Sequence, residues 1–265
     1  MADAREFTVE TSDGARLRGT RHGREGAPVA VLSNSLGTTR ALWDPQVAAL
    51  SDRFSILTYD TRGHGASDAP PGDYSLDRLA LDVLEIMDAR GVERAHFAGV
   101  SLGGMTGQVL GVRALDRLRS LTLAATSAYM GPPENWQGRI ETVRGEGMDP
   151  VADRVGDVWF SEHGHADAAV REACVKACRA CDPGGYGGCC AAIRDMDLRG
   201  AARAIAAPTL VIAGADDPAT PPPHAEYLAG TIPGAELKVF RGAHLINLDA
   251  ADAVTDALRT FWSAH

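Results

Sequence analysis

Apolar residues fall along this 265-residue chain in short runs separated by amphipathic stretches. Such a pattern is expected of buried strands alternating with surface helices. Residues 7–11 and 15–20 alternate apolar and polar positions around Asp13-Gly14, which predicts an opening antiparallel hairpin. Residues 28–32 form a continuous apolar run, as a strand buried on both faces requires. Further strands are predicted at 55–59, 95–100, 121–124, 208–213 and 236–240. Between them, residues 43–50 suit a helix. Ser75 opens another, with apolar positions at Leu76, Leu79, Leu81, Val83, Leu84, Ile86 and Met87 and a stop at Gly91. A last helix is predicted over 251–262. Regular alternation of this kind predicts an α/β fold, a mostly parallel sheet with helices on both faces. It lapses from about 131 to 200, where Pro132-Pro133 opens a helix-rich stretch with glycine and aromatic punctuation. That stretch reads as a helical cap inserted over the carboxyl edge of the sheet, within one domain spanning residues 1–265.

The chain is organised around Gly99-Val100-Ser101-Leu102-Gly103, where the run 95–100 ends and a helix-like segment begins. In this G-x-S-x-G pattern the serine sits on a strand-to-helix turn so tight that its backbone is strained. The flanking glycines leave room for that turn. Ser101 is therefore the candidate nucleophile, and the amide of Leu102 points from the helix N-terminus towards any oxyanion formed beside it.

A serine hydroxyl needs a base, and the base needs an orienting acid. In open α/β sheets such groups lie at the carboxyl ends of strands. Gly214-Ala215-Asp216-Asp217-Pro218 follows one predicted strand, and Arg241-Gly242-Ala243-His244-Leu245 follows the next. His244 is the candidate base. His64 lies in the glycine-rich loop 60–67 and His224 begins a helix, so both rank behind it. The acid is Asp216 or Asp217; Asp217, three residues after Gly214, has the favoured placement, which leaves Asp216 as a solvated turn residue. The order serine, aspartate, histidine is that of α/β hydrolases. A second oxyanion donor is expected from the loop after residue 32, and the Leu36 amide is the choice there.

A formal net charge of −9 leaves no basic stripe to neutralise phosphates, which argues against a nucleic-acid partner. Residues 1–6 hold no apolar leader, and no stretch has the length of a membrane span. Five cysteines, crowded between Cys174 and Cys190, form no disulfide framework and suit a reducing cytoplasm.

Several stretches resemble the 3-oxoadipate enol-lactonases of the α/β-hydrolase superfamily. They are Ser33-Asn34-Ser35-Leu36-Gly37-Thr38, Tyr59-Asp60-Thr61-Arg62-Gly63-His64-Gly65, the nucleophile segment 99–107 and the cap segment 182–195. The first and last are the specific ones, because most α/β hydrolases carry His-Gly where this chain has Asn34-Ser35. Ser161-Glu162-His163-Gly164-His165 departs from the family pattern. The resemblance implies an α/β-hydrolase fold with an inserted helical cap. It also implies hydrolysis of a small lactone bearing a carboxylate, in bacterial breakdown of aromatic compounds, with no cofactor and no metal. A carboxylate-bearing substrate calls for a cation against the chain's average field, and Arg139, Arg144 and Arg194 are the candidates; Trp136 would wall the flat ring. A general carboxylesterase or a cofactor-free perhydrolase would use the same triad, and relative rates on lactone and aryl ester separate them. A non-catalytic ligand-binding protein of this fold would leave Ser101 inert to a phosphonate.

Other signals read as structure. Cys174, Cys178 and Cys181 fall on one face of a cap helix, where cysteine packs as a small hydrophobe. His163-Gly164-His165 reads as a solvated loop, and the glycine run 184–188, lacking a phosphate-loop Lys-Ser/Thr, as a turn.

Overall fold

The computed structural model describes residues 4–265; Met1 to Asp3, the first half of the N-terminal segment searched for a leader, lie outside it. Strands β1 (Arg5–Glu10) and β2 (Arg16–His22) form the hairpin. They are followed by β3 (Val29–Ser33), β4 (Ser55–Tyr59), β5 (Ala95–Val100), β6 (Leu118–Ala124), β7 (Thr209–Gly214) and β8 (Glu236–Phe240). All eight join one sheet in the order β1-β2-β4-β3-β5-β6-β7-β8. The β1–β2 and β2–β4 pairs are antiparallel, and every pairing from β4 to β8 is parallel.

Helices α1 (Asp44–Leu50), α2 (Leu76–Ala89), α3 (Leu102–Arg113), α8 (Pro222–Thr231), α9 (Ile246–Asp249) and α10 (Ala251–Ala264) accompany the sheet. Neighbouring residues of β5 show that both faces are covered, because successive side chains of a strand point to opposite sides. His96 stacks on Trp262 of α10, with ring centres 5.7 Å apart. Phe97 faces α3, so closely that a Cβ at Gly107 would lie 2.8 Å from its ring.

Ser75 caps α2 by accepting the Arg78 amide at 3.1 Å. Leu76, Leu79, Ala80, Val83, Ile86 and Met87 form its buried stripe. Leu81 is exposed, contrary to the sequence reading, because it lies roughly 200° around the helix from Leu79. Asp82 turns inward beside it and meets Arg62 through two bonds of 2.7 Å.

From β3 the chain moves outward to β4 and then returns across β3 to β5. The chain thus leaves β3 towards β4 and leaves β5 towards β6, in opposite directions along the sheet, and ligands of such sheets bind outside the carboxyl ends of the strands at this switch point. Above it, between β6 and β7, lie α4 (Pro133–Glu146), α5 (Asp149–Trp159), α6 (Ala168–Arg179) and α7 (Pro183–Arg194).

Two sequence expectations in this insertion need correction. The glycine run 184–188 is the first half of α7, not a turn. Asp182 caps that helix by accepting the Gly185 amide at 2.8 Å, and Pro183 takes its first position. The glycines there serve close approach, since a Cβ at Gly185 would collide with Gly63 and one at Gly188 would lie 2.8 Å from Tyr74. Cys181 lies beyond the end of α6, although it is buried like Cys178; Cys174 is half-buried. Among the described residues, no helix is long and apolar enough to cross a membrane.

Candidate active site

Ser101 joins β5 to α3 with φ 56° and ψ −112°, a strained conformation for a residue with a Cβ. Its backbone is pinned on every side. The amide donates to Ala124 O at 2.9 Å, and the carbonyl accepts from Met105 N at 2.9 Å and from Thr126 Oγ1 at 2.7 Å. The glycines of the motif are required by space: a Cβ at Gly99 would strike the Gly103 carbonyl, and one at Gly103 would strike Ser33 O.

The β3–β5 register pairs Ser33 with Gly99, which lays the loop after β3 beside the head of α3. Gly103 N donates to Asn34 O at 3.0 Å and fastens the two together. Thr38 then closes a turn over Leu36-Gly37 by donating to Ser35 O through its amide (3.2 Å) and its hydroxyl (2.8 Å). Gly37 has φ +81°, the left-handed conformation that this turn needs at its third position.

His244 is buried and meets Asp217 through Nδ1···Oδ2 at 2.9 Å. Asp217 is buried too, and accepts further bonds from Ala219 N (2.8 Å), Thr220 N (3.1 Å) and Thr220 Oγ1 (2.7 Å). Burial pushes the Asp217 carboxyl up, but the bonds from His244 and Thr220 more than offset this and hold it below the ordinary value. Asp216, the other candidate acid, is exposed and accepts from Ser161 Oγ at 2.9 Å instead. His224, at the start of α8, meets Ser127 at 2.7 Å and lines a separate small cavity with Tyr129 and Arg199.

Ser101 and His244 both line a cavity of about 730 Å³ between the sheet and the inserted helices. Its walls include Leu36, Met105, Trp136, Arg139 and Tyr186. Trp136 is fixed by its indole N–H, which donates to Met130 O at 2.8 Å. The Arg139 guanidinium lies 5.0 Å from the centre of the Trp136 ring. Arg144 and Arg194 do not reach this cavity. Both turn to Asp73, at 2.7 and 3.1 Å, and Arg194 is held as well by Asp195 (2.7 Å) and Gln137 (2.8 Å). Arg194 is thus engaged by Asp73, a neutralising partner 121 residues away in sequence, and does not line the cavity. Arg154 and Glu146 also line the cavity, though nothing in their sequence positions marks them. The exposed His163 and His165 lie in the loop between α5 and α6. Among the described residues, no three His, Cys, Asp or Glu side chains are gathered to hold a metal ion.

These features are those of an ester hydrolase on a doubly wound sheet, and the comparisons agree. The family model for the alpha/beta hydrolase fold matches residues 28–155. The chain belongs to that family. It is 34% identical to 3-oxoadipate enol-lactonase 2 of Acinetobacter baylyi over 94% of this chain and 93% of that protein. The crystal structure of the enol-lactonase from Burkholderia xenovorans LB400 superposes with a TM-score of 0.92 at 39% identity, covering 97% of this chain and 100% of that one. A hydrolase from Pseudomonas aeruginosa PA01 gives 0.93 at 43% identity, covering 97% and 98%.

Proposed function

We propose that this ester hydrolase opens an enol-lactone that carries a free carboxylate, 3-oxoadipate enol-lactone being the substrate suggested by its relatives. The observation that carries the reading is a single cavity whose wall includes Ser101, His244 and Arg139 together. Ser101 Oγ attacks the lactone carbonyl while His244 Nε2 takes its proton. Asp217 holds the Nδ1–H side of the imidazole and stabilises the imidazolium. The oxyanion develops against the Leu36 and Leu102 amides. Collapse of the intermediate breaks the ring C–O bond, and His244 returns the proton to the departing enol oxygen. This enol tautomerises to the ketone, so its departure is easier than that of an alkoxide. It stays tethered to the acyl-enzyme until water, deprotonated by His244, attacks the ester carbonyl and frees Ser101. Arg139, stacked on Trp136, is the cation for the distal carboxylate, with Arg154 on the same wall. The whole chain acts as one domain, with α4–α7 as the cap over the sheet.

Loss of the enol-lactone's ultraviolet absorbance tests this, with p-nitrophenyl acetate alongside and Ser101→Ala as control. Lactone turnover far above aryl-ester turnover, abolished by Ser101→Ala, is expected. Aryl-ester cleavage without lactone turnover would sink the substrate assignment and keep the triad.

A further inference from the structure

His64 plays no part in the proton transfers above, yet it is buried directly against the loop that carries Leu36. The Gly37 amide, one residue after the proposed oxyanion donor, donates to His64 Nε2 at 2.9 Å. On the other edge of the ring, Nδ1 lies 3.1 Å from Arg62 O. An amide N–H can only donate and a carbonyl can only accept, so these two partners fix the tautomer: Nδ1 carries the proton and Nε2 is bare. Arg62 is an immobile anchor for this ring, since its guanidinium is paired with Asp82 at 2.7 Å and Asp13 at 2.8 Å. From the opposite side the inserted helices confine the loop. A Cβ at Gly37 would lie 3.1 Å from Cys178 Sγ and 3.3 Å from Trp159.

We propose that His64 is the positioning residue of the oxyanion loop, and that a proton gained at Nε2 releases it; the inference rests on the role proposed above for the Leu36 amide. A second ring N–H would face the Gly37 N–H donor to donor, and the turn Ser35–Thr38 would have to shift. That shift would carry the Leu36 amide away from the developing oxyanion. The surroundings keep the clamp neutral. Burial is the main cause lowering the affinity of His64 for a proton. The bond to Arg62 O and, more weakly, the Asp60 carboxylate pull the other way, but that carboxylate is matched by Arg40 at 2.6 Å. Arg62, in the same loop, is matched by Asp13 and Asp82. From the inserted helices Tyr186 faces the ring at 6.2 Å and Cys189 donates its thiol to Arg62 O at 3.6 Å; burial holds both protonated and uncharged. Cys181, beside Asp60, is also raised by burial and uncharged.

The test compares His64→Leu and His64→Gln with the native chain on p-nitrophenyl acetate, each checked by thermal melting. Leucine removes the acceptor for Gly37 N–H, and kcat should fall about 100-fold, the lower end of what loss of one oxyanion donor costs, with KM little changed. Glutamine can accept the same amide through Oε1 and should recover most of that loss. The acid limb of the native kcat profile should be steeper than one proton, and the non-titrating glutamine should reduce it to a one-proton slope. Nitrogen NMR of the native imidazole should show the Nδ1–H tautomer. A folded His64→Leu protein with native kcat, an Nε2–H tautomer, or identical acid limbs would overturn the clamp while leaving the triad untouched. A native protein inert towards both lactone and aryl ester, with Ser101 unlabelled by a phosphonate, would instead overturn the hydrolase mechanism and the clamp with it.

Discussion

Asp216 and Asp217 are sequence neighbours with different fates, and the difference lies in what each side chain meets. Asp217 is held by His244 and by three donors from residues 219 and 220. Asp216 points outward to Ser161. Asp217→Asn keeps the shape but puts an amide N–H2 where either Thr220 or His244 needs an acceptor. The imidazole then loses its tautomer, and kcat on p-nitrophenyl acetate should drop by roughly 10⁴, whereas Asp216→Asn should stay within about threefold. An Asp217→Asn enzyme within tenfold of native would remove Asp217 from the mechanism. The sequence makes these groups readable because backbone geometry imposes Ser101 and its glycines, and strand ends impose the positions of the acid and the base. The arginines are another matter. Arg139, Arg144 and Arg194 look alike on predicted cap helices, and they are sorted only by tertiary contact: Asp73 captures two of them, while Arg139 turns onto Trp136. Arg154 is hidden in the sequence for the same reason, since a polar position on a cap helix reads identically whether it faces water or a cavity.

The junction between inserted helices and triad loops rests on α9 and the end of α5. Asp249, the last residue of α9, is fully buried, and its Oδ2 accepts the Ser161 amide at 2.8 Å and the Ala243 amide at 2.9 Å. Leu245 N donates to Trp159 O at 2.9 Å, and His165 N to Asp249 O at 2.9 Å. The residues flanking His244 are thus fastened to the segment 159–165. Asp249→Ala would strand two buried amides, a loss of about 2–6 kcal/mol at 1–3 kcal/mol each. It should also lower kcat by loosening the His244 loop. Asp249→Asn retains an acceptor at Oδ1 for both amides and should lose much less. Urea unfolding with steady-state rates checks both; equal stability of the Ala and Asn variants would show that the amides find other partners. No periodicity announces such a latch, because it is made of loop backbone and one carboxylate separated by 88 residues. The strands and the large helices were readable from their apolar runs. The first half of α7 reads as a turn because its glycines signal one locally, while the docking surface of Gly63 and Tyr74 that needs them is supplied by the other half of the molecule.

At the scale of the whole molecule the central strands β4, β5 and β7 are buried on both faces, and this has a consequence for acid stability. His96 lies in β5 among the central parallel strands, with Nδ1 2.8 Å from Ser120 Oγ and its ring packed against both Phe54 and Trp262. Burial, with Arg119 adding to it, pushes this imidazole down from 6.5 to about 4. Below pH 6.5 the unfolded chain therefore takes up a proton that the folded chain refuses. Stability contributed by neutral His96 is complete above 6.5, is lost as the pH falls towards 4, and changes no further below that. Over the full window the loss is about 3 kcal/mol, a large share of the stability of an ordinary domain. His64, buried and shifted in the same direction, adds to the same slope. His96→Asn keeps a polar partner for Ser120 but cannot titrate. It should lower stability at pH 7 through lost stacking, and flatten the dependence of unfolding free energy on pH between 6 and 4.5 by close to one proton, about 1.4 kcal/mol per pH unit. Urea titrations of both proteins at intervals across that range give the two slopes directly. Parallel slopes would mean that His96 is protonated in the folded sheet, and that the acid sensitivity belongs to the carboxylates.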